Sequence, residues 1–162
     1  MVWPVLIGLL VVCFGGVLLV GAPYLPTLSP QIKEALELAE LKKGQTLLEL
    51  GCGDGRVLIA AAKSGAQVIG YELNPLLYMF AWLRTRRYRS QVCVRWGNFW
   101  RASWPPADVI FVFLLPKYMS KLDKQCMRYP YMPITLVSIA FPIASRQPQA
   151  SRHSIYLYRY GD

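Results

Sequence analysis

After residue 45, short apolar runs alternate along the chain with longer stretches in which apolar and polar positions are mixed. Such short runs are typical of strands buried in a parallel sheet, and the mixed stretches have the spacing of amphipathic helices. The pattern predicts strands at 46–50, 67–72, 91–95, 109–113, 134–140 and 154–160, and helices at 55–64, 76–83 and 116–127. This alternation predicts a doubly wound, Rossmann-like α/β sheet over residues 46–162.

The first 22 residues form an apolar run without a charged side chain, and Trp3 and Tyr24 stand near its two ends. About 20 apolar residues in a helix cross a bilayer core of about 30 Å. We therefore expect a transmembrane anchor at 1–22. A cleaved signal peptide is the alternative, but no basic residue precedes the apolar run. Residues 23–45 then read as a linker and an N-terminal helix, with Ser29 as its N-cap before Pro30.

Residues 47–56 place three glycines, each two positions from the next, between a predicted strand and a predicted helix. Glycines in such a turn let backbone N–H groups and the helix N-terminus approach a ligand closely. The pattern Glu49-x-Gly51-x-Gly53-x-Gly55, with Cys52 as a small filler, resembles motif I of the class I S-adenosylmethionine methyltransferases. A dinucleotide site spaces its glycines as G-x-G-x-x-G. The carboxylate before the glycines suits an amino-acid cation better than a phosphate. S-adenosylmethionine is therefore favoured over NAD.

Glu72 ends the second predicted strand, 17 positions after Gly55. In Rossmann-type sheets an acid at this point accepts hydrogen bonds from ribose hydroxyls. Glu72 is therefore expected to bind the adenosine part of the cofactor. The alternative is that it only caps the helix that begins at Asn74-Pro75.

In open α/β sheets the ligand lies beyond the carboxyl ends of the strands. Asn98 and Phe99 follow the third strand and are expected to flank adenine, although Asn98 is equally compatible with a simple turn after Gly97. Leu115 and Pro116 follow the fourth strand, where they are expected on the substrate side. This tip carries neither the Asn/Asp-Pro-Pro-aromatic motif of base amino-group methylases nor the Pro-Cys of cytosine-carbon methylases. It also lacks a His or a carboxylate that could act as a general base. Tyr24 and Tyr118 are the polar candidates for catalysis.

Charge is confined to the chain beyond residue 32, where 18 basic and 9 acidic side chains give a net charge of +9. Lysines 33, 42 and 43 follow the predicted anchor and place the catalytic domain on the cytoplasmic side of the membrane. A positive domain is attracted to anionic lipid by about 1 kcal/mol per suitably placed basic residue. Nucleic acid can use the same charge. Next to an anchor, the bilayer is the simpler partner and nucleic acid is the less favoured one.

The four cysteines show no C-x-x-C pair, and the single histidine, His153, lies in a polar stretch near the C-terminus. Neither pattern has the ligand spacing of a zinc site, so we expect no metal. Disulfides are not expected in a reducing compartment either.

From residue 23 onward the motifs resemble one family in their order. Its members are the membrane-anchored lysine methyltransferases of mitochondria that modify the adenine nucleotide translocase and the ATP synthase c-subunit, together with small prokaryotic relatives. The resemblance is carried by residues 23–27, 38–44, 50–56, 71–75, 112–116 and 141–142. It implies a class I methyltransferase fold and lysine methylation of a membrane protein. It also implies that Glu49, the loop glycines and Glu72 hold S-adenosylmethionine.

The resemblance leaves some points open. Tyr24 and Thr27 either close over the cofactor or the incoming lysine, or belong to a proline-stiffened linker. Members of the class usually have seven strands and the pattern gives six, so the sheet is expected to be trimmed at its C-terminal edge. Two other functions compete with lysine methylation. One is methylation of a lipid or quinone headgroup. The other is a non-catalytic scaffold that binds S-adenosylmethionine, or RNA through the arginines between 84 and 101.

Overall fold

Helices and strands alternate along the chain up to the fifth strand, except that the third strand is followed by the fourth without a helix between them, as the apolar pattern predicts. The computed structural model describes residues 2–4, 8 and 25–161. The strands are β1 (Thr46–Leu50), β2 (Gln67–Glu72), β3 (Val92–Trp96), β4 (Val109–Val112), β5 (Ile134–Ile139), β6 (Ala150–Arg152) and β7 (Ile155–Tyr160). The helices are α1 (Ser29–Leu38), α2 (Arg56–Lys63), α3 (Pro75–Thr85) and α4 (Pro116–Met127), and a short 3₁₀ helix at Arg86–Tyr88 follows α3.

One mixed sheet contains these seven strands in the order β3-β2-β1-β4-β5-β7-β6. The five strands from β3 to β5 are parallel, and β7 runs antiparallel to both β5 and β6. In the centre, β1 pairs with β2 on one side and with β4 on the other. The carboxyl ends of β1, β2 and β4 therefore meet at one edge of the sheet, which is where the glycine loop begins.

Successive residues of the central strands contribute to two separate cores, one on each face of the sheet. In β4, Val109 and Phe111 join the core that contains α1, α2 and α3, whereas Ile110 and Val112 join the core that contains α4. All four of these residues are buried. Helices on both faces of a largely parallel sheet make this the doubly wound architecture that the sequence predicts.

The C-terminal edge of the sheet differs from the expectation. The predicted trimming to six strands is wrong, because the three-residue strand β6 pairs with β7 and completes a sheet of seven. The turn between them consists of His153 and Ser154, both with positive φ (45° and 63°). Two-residue hairpin turns of this kind usually contain Asn-Gly or Asp-Gly. His-Ser does not signal such a turn, and β6 is too short to show alternation.

The N-terminal helix packs against the other end of the chain. Glu34 of α1 lies 2.8 Å from His153 Nδ1 and 3.6 Å from Arg152 Nε in the β6–β7 hairpin. The predicted N-cap is wrong by one position: Leu28 is the N-cap, Ser29 begins the helix, and the Leu28 N–H donates to the Gln31 side chain.

Most of the predicted anchor at 1–22 lies outside the described residues. Within residues 2–4, 8 and 25–161, no helix combines the length and the apolarity needed to cross a bilayer. This finding contradicts the predicted localisation as a single-pass membrane protein with a cytoplasmic domain. The division of the chain at residues 22 and 45 stays a prediction.

Candidate functional site

The glycine loop joins β1 to α2 and adopts a backbone that other residues rarely adopt. Gly51, Gly53 and Gly55 all have positive φ, at 95°, 53° and 79°. At Gly55 a Cβ atom would lie only 3.2 Å from the Cα and Cβ atoms of Ala81, so the absence of a side chain also lets α3 approach the loop. At Gly51 an added Cβ would have no atom within 4 Å, so only its backbone conformation requires glycine.

Hydrogen bonds attach this loop to β2. The N–H groups of Gly51 and Cys52 both donate to the Tyr71 carbonyl, at 3.0 and 2.8 Å. The Cys52 side chain is buried in the same core as Val57 and Leu58. Burial, together with the charges of Glu49 and Glu72, raises the pKa of the Cys52 thiol well above its ordinary value. Cys52 is thus the small apolar filler that the sequence predicts rather than a reactive thiolate.

Glu72 lies directly against the loop. One carboxylate oxygen accepts a hydrogen bond from the Gly53 N–H and the other accepts one from the Asn74 N–H, both at 2.8 Å. Asn74, not Glu72, caps α3, because its side-chain oxygen accepts from the N–H groups of Leu76 and Leu77. Each carboxylate oxygen can accept two hydrogen bonds, so Glu72 has acceptor capacity left for ribose hydroxyls.

Glu49 is the unusual residue of the site. Glu49 is 5% exposed, and its Oε2 is a buried atom that has no hydrogen-bond partner among the residues that the structure describes. Burial, reinforced by the negative charges of Glu72 and Asp54, raises the pKa of the Glu49 carboxyl well above its ordinary value. Burial also raises the pKa of Glu72, although its backbone hydrogen bonds oppose the shift. Within the described part of the chain neither of these buried carboxylates forms an ion pair, so together they make a site suited to a positively charged ligand.

Asp54 is the third acid near the glycine loop, and positively charged arginines balance its charge. It forms ion pairs with Arg56 (2.9 Å) and with Arg84 of α3. Burial alone would raise the pKa of Asp54, but the hydrogen bonds and positive charges of the two arginines outweigh it and lower the pKa. Arg56 also donates to the Thr27 carbonyl at 3.2 Å. Asp54 and Arg56 stand two positions apart in the glycine motif, whereas Arg84, which the sequence groups only with the arginines between 84 and 101, reaches Asp54 only in the folded chain.

The segment before α1 therefore contacts the glycine loop. Thr27 is 6% exposed, and its carbonyl is held by Arg56. This position is compatible with both expectations for the segment, a cover over the site and a stiff connection. Tyr24, the other residue named for this role, lies outside the described residues.

Asn98 and Phe99 follow β3 at the same edge of the sheet. The turn is attached to Glu72, whose backbone carbonyl accepts from the Gly97 N–H at 2.9 Å. The Asn98 side chain accepts a hydrogen bond from the Trp100 N–H at 2.9 Å, which is the turn function that the sequence left open. Phe99 is partly buried, and its ring centroid lies 4.7 Å from that of Trp100.

Leu115 and Pro116, two of the residues expected on the substrate side, follow the tip of β4. Leu115 is the N-cap of α4 and Pro116 begins it. Tyr118, in the first turn, has its ring centroid 5.9 Å from that of Trp100. The side chains after β3 and after β4 therefore meet in one aromatic cluster, comprising Phe99, Trp100 and Tyr118. Trp100 was not predicted as a site residue.

Residues 49–150 match the family model of the ANTKMT methyltransferase domain. The chain belongs to this family. Its fold agrees with that assignment, and the family resemblance predicted from the sequence is confirmed. Among the residues that the structure describes, no three or more His, Cys, Asp or Glu side chains form a potential metal site.

Several relatives of this chain are named as lysine methyltransferases. An ATP synthase c-subunit lysine N-methyltransferase from Xenopus laevis is 30% identical over 130 residues, which covers 78% of this chain and 56% of that protein. The chain thus spans about half the length of the Xenopus relative. A protein-lysine N-methyltransferase from Saccharolobus islandicus is 27% identical over 152 residues, covering 86% of this chain and 94% of that protein.

A solved structure shows the same fold. An RNA methyltransferase from Salinibacter ruber, in complex with S-adenosyl-L-homocysteine, superposes with a TM-score of 0.77 at 29% identity. The superposition covers 84% of this chain and 92% of that one. The prediction of an S-adenosylmethionine-dependent methyltransferase domain is therefore confirmed at the level of the family.

Proposed function

We propose that this chain is an S-adenosylmethionine-dependent protein-lysine N-methyltransferase. The observation that carries the choice of cofactor is the buried Glu49 carboxylate near Glu72, whose Oε2 has no hydrogen-bond partner among the described residues. S-adenosylmethionine has a sulfonium and an ammonium group, so it brings positive charge to this site. A dinucleotide would instead bring two phosphates towards two buried carboxylates. The charge of the site thus supports S-adenosylmethionine over NAD.

Each part of the cofactor has a candidate partner. Glu49 is the residue proposed to hold the ammonium group, because its free oxygen is buried and lacks a donor. The loop at Gly51 and Gly53 allows close approach of the amino-acid part. Glu72 is proposed to accept hydrogen bonds from the ribose, and Phe99 to pack against adenine. Asn98 already uses its side-chain oxygen within the turn, so we assign adenine contact to Phe99 first.

The names of the relatives support lysine as the methyl acceptor. A lysine must lose its proton before it can attack, which from a pKa of about 10.4 costs roughly 4–5 kcal/mol at pH 7. An apolar surrounding lowers that cost by destabilising the ammonium form. The tip of β4 supplies such a surrounding in Leu114 and Leu115, which are buried and half-buried. The bound cofactor supplies an electrophilic methyl group, so the protein mainly has to align the lysine and exclude water.

The Tyr118 hydroxyl is the polar group of this region that we propose for orienting the incoming amine. Its ring is fixed against Trp100, and the Lys117 ammonium lies 4.9 Å from its centroid. Tyr24 stays a second candidate on the strength of the sequence alone.

A lysine of a membrane protein is the finer proposal for the acceptor. Its support is the name of the Xenopus relative, a lysine methyltransferase for the ATP synthase c-subunit. Methylation of a lipid or quinone headgroup is the competing reaction on an apolar acceptor. The predicted bilayer partner was argued from residues 1–22 and from the net positive charge, and none of the described helices could cross a bilayer.

RNA methylation is the second candidate function. It is favoured by the name of the Salinibacter ruber structure and by the arginine-rich segment 84–101. The sequence of residues 113–116 does not favour RNA methylation, because it contains neither of the two motifs that base methylases have at this tip. Lysine methylation is therefore preferred.

The test is transfer of radioactive methyl from S-adenosylmethionine by the full chain to a native cell extract that includes membranes. Samples are then treated with protease, with ribonuclease or with organic solvent, and labelled protein is hydrolysed to amino acids. We expect the label in methyl-lysine, and we expect Glu49→Gln to lose most of it. Label released by ribonuclease would support RNA methylation, and label in the organic phase would support a lipid or quinone acceptor. Either result would contradict lysine methylation.

A further inference from the structure

Helix α4 carries a row of basic side chains on its exposed face. Lys117, Lys121, Lys124 and Arg128, the last of which is the C-cap directly after α4, are all exposed, at spacings of four, three and four residues. Residues at such spacings lie on one side of a helix. The opposite side of α4 is buried in the core through Met119, Leu122 and Cys126. We name these four cations the α4 basic stripe. At about 1.5 Å per residue, it is about 16 Å long.

The stripe has no acidic counterpart within the part of the chain that the structure describes. The ion pairs there involve none of its four residues. Asp123, the one acid of α4, is buried and accepts hydrogen bonds from Ser145, Arg146 and Tyr160. The other described acids lie in or just after α1, around the glycine loop, or at Asp108, which is bonded to the Thr46 N–H. The positive charge of the stripe is therefore uncompensated.

The stripe begins at the proposed methyl-acceptor site. Lys117 is the second residue of α4, directly after the β4 tip. The Lys121 ammonium lies 4.3 Å from the centroid of the Trp100 ring, and the Lys117 ammonium lies 4.9 Å from that of Tyr118. These cation–π contacts hold two of the charges beside the aromatic cluster. A partner bound along α4 would thus have one end at the place where we propose that lysine is methylated.

We propose that the α4 basic stripe docks an acidic segment of the substrate protein next to the lysine to be methylated, an inference that rests on the proposed function. An extended segment rises about 3.3 Å per residue, so about five residues cover the stripe. Carboxylates at alternate positions of such a segment reach its cations. Charge complementarity of this kind increases the rate of encounter and fixes the orientation of the partner.

An acidic protein segment fits this surface better than a single-stranded nucleic acid does. Nucleic-acid grooves combine basic side chains with aromatic rings on which bases stack. Here Lys121 and Lys117 lie over the rings of Trp100 and Tyr118. The stripe also runs along one exposed helix and not within a groove, so it presents charges without a stacking platform.

The experiment uses two fluorescent peptides, each with one lysine, followed either by alternating glutamates or by alternating glutamines. Binding to the full chain is measured by fluorescence anisotropy at low and high salt, and methylation of both peptides is measured as KM and kcat. The stripe variant is Lys121→Gln/Lys124→Gln/Arg128→Gln. The matched control removes three exposed arginines elsewhere, as Arg86→Gln/Arg87→Gln/Arg89→Gln. This control shows whether a lower net charge by itself weakens binding of the glutamate peptide.

We expect the glutamate peptide to bind about 10-fold more tightly than the glutamine peptide at low salt, and to lose that advantage at high salt. In the stripe variant the glutamate peptide should bind no more tightly than the glutamine peptide even at low salt. Its KM should rise while kcat is retained. The control variant should keep the preference for the glutamate peptide. Equal binding of the two peptides would overturn the inference, as would an equal loss in both variants. Tighter binding of an oligouridine probe, lost in the stripe variant, would overturn it in favour of nucleic acid. Because anisotropy needs no methyl transfer, a failure of docking and a failure of the proposed function are separately visible.

Discussion

Replacement of Glu49 by glutamine should make the cofactor-free protein more stable and the cofactor bind more weakly. Glu49 is 5% exposed, and no described residue forms a hydrogen bond with its Oε2. A buried polar group without a partner costs about 1–3 kcal/mol, and a charged one costs more. Glutamine keeps the shape and removes the charge, so we expect the free energy of unfolding to rise by about 1–3 kcal/mol at pH 7. For a chain of this size, that raises Tm by roughly 2–12 °C.

The same substitution removes the proposed partner of the cofactor's ammonium group. A hydrogen bond to a charged group contributes about 1.5–3 kcal/mol. The Kd for S-adenosylmethionine should therefore rise by about 10- to 150-fold. Calorimetric titration measures the binding, and scanning calorimetry of the cofactor-free protein measures the Tm.

The pH dependence of stability gives an independent check. Burial raises the pKa of Glu49 above its ordinary value of 4.5, so the folded state holds a proton that the unfolded state releases in this range. Stability should therefore fall as the pH rises from 4.5 through the folded-state pKa. In Glu49→Gln this fall should be smaller, and what remains should come from Glu72, whose pKa is shifted in the same direction.

Glu72→Gln is the matched control. Both Glu72 oxygens accept backbone hydrogen bonds, from Gly53 and Asn74. Glutamine keeps one accepting oxygen, but its amide nitrogen cannot accept the second hydrogen bond. This variant should therefore lose stability as well as affinity. A Glu49→Gln protein that is less stable than the wild type, or that binds S-adenosylmethionine with unchanged affinity, would refute the role assigned to Glu49.

The remaining predictions concern single residues of the glycine loop, the β6–β7 turn and the β4 tip. Gly55→Ala should lower the free energy of unfolding by roughly 2–4 kcal/mol, because it adds a contact with Ala81 to the strain of a positive φ. Gly51→Ala should lower the free energy of unfolding by only about 1–2 kcal/mol, since the added Cβ would have no atom within 4 Å. Equal losses of the two variants in urea titrations would contradict this reasoning. Ser154→Gly should relieve the positive φ of the β6–β7 turn and raise Tm by about 2–4 °C, whereas an unchanged or lower Tm would show that the turn is unstrained. Tyr118→Phe should lower kcat for a lysine peptide by about 10-fold or more while the Kd for S-adenosylmethionine is retained, and an unchanged kcat would exclude the hydroxyl from catalysis.

The parts of the structure that were predictable are those set by local pattern. Strands β1 and β2 have the predicted bounds, because buried apolar runs end there at a glycine loop and at Asn74-Pro75. The same local signals located the loop glycines, Glu49 and Glu72. The hairpin strand β6 was missed since His153 and Ser154 are unusual residues for its turn.

The electrostatics of the site depended on contacts that no sequence pattern contains. Nothing in the sequence distinguishes Glu49, whose Oε2 has no partner among the described residues, from Asp54, which forms ion pairs with two arginines. One of these arginines, Arg84, is 30 positions away from Asp54 along the chain. The role of Asn98 was equally undecided from the sequence, and in the structure its side-chain oxygen accepts a hydrogen bond from Trp100 in the same turn.

The strand order has a consequence for synthesis of the chain on the ribosome. Strands β2 and β3 add outward on one side of β1, and β4 and β5 add on the other, in the order in which they are made. Strand β6 is the exception, because it joins the sheet only through β7, which is made later and pairs with β5. Helix α1 is made before the whole sheet, yet its Glu34 pairs with Arg152 and His153 in that last hairpin. We therefore expect the first described helix to reach its final place last, and in ribosome-stalled chains it should resist protease only once Tyr160 has emerged.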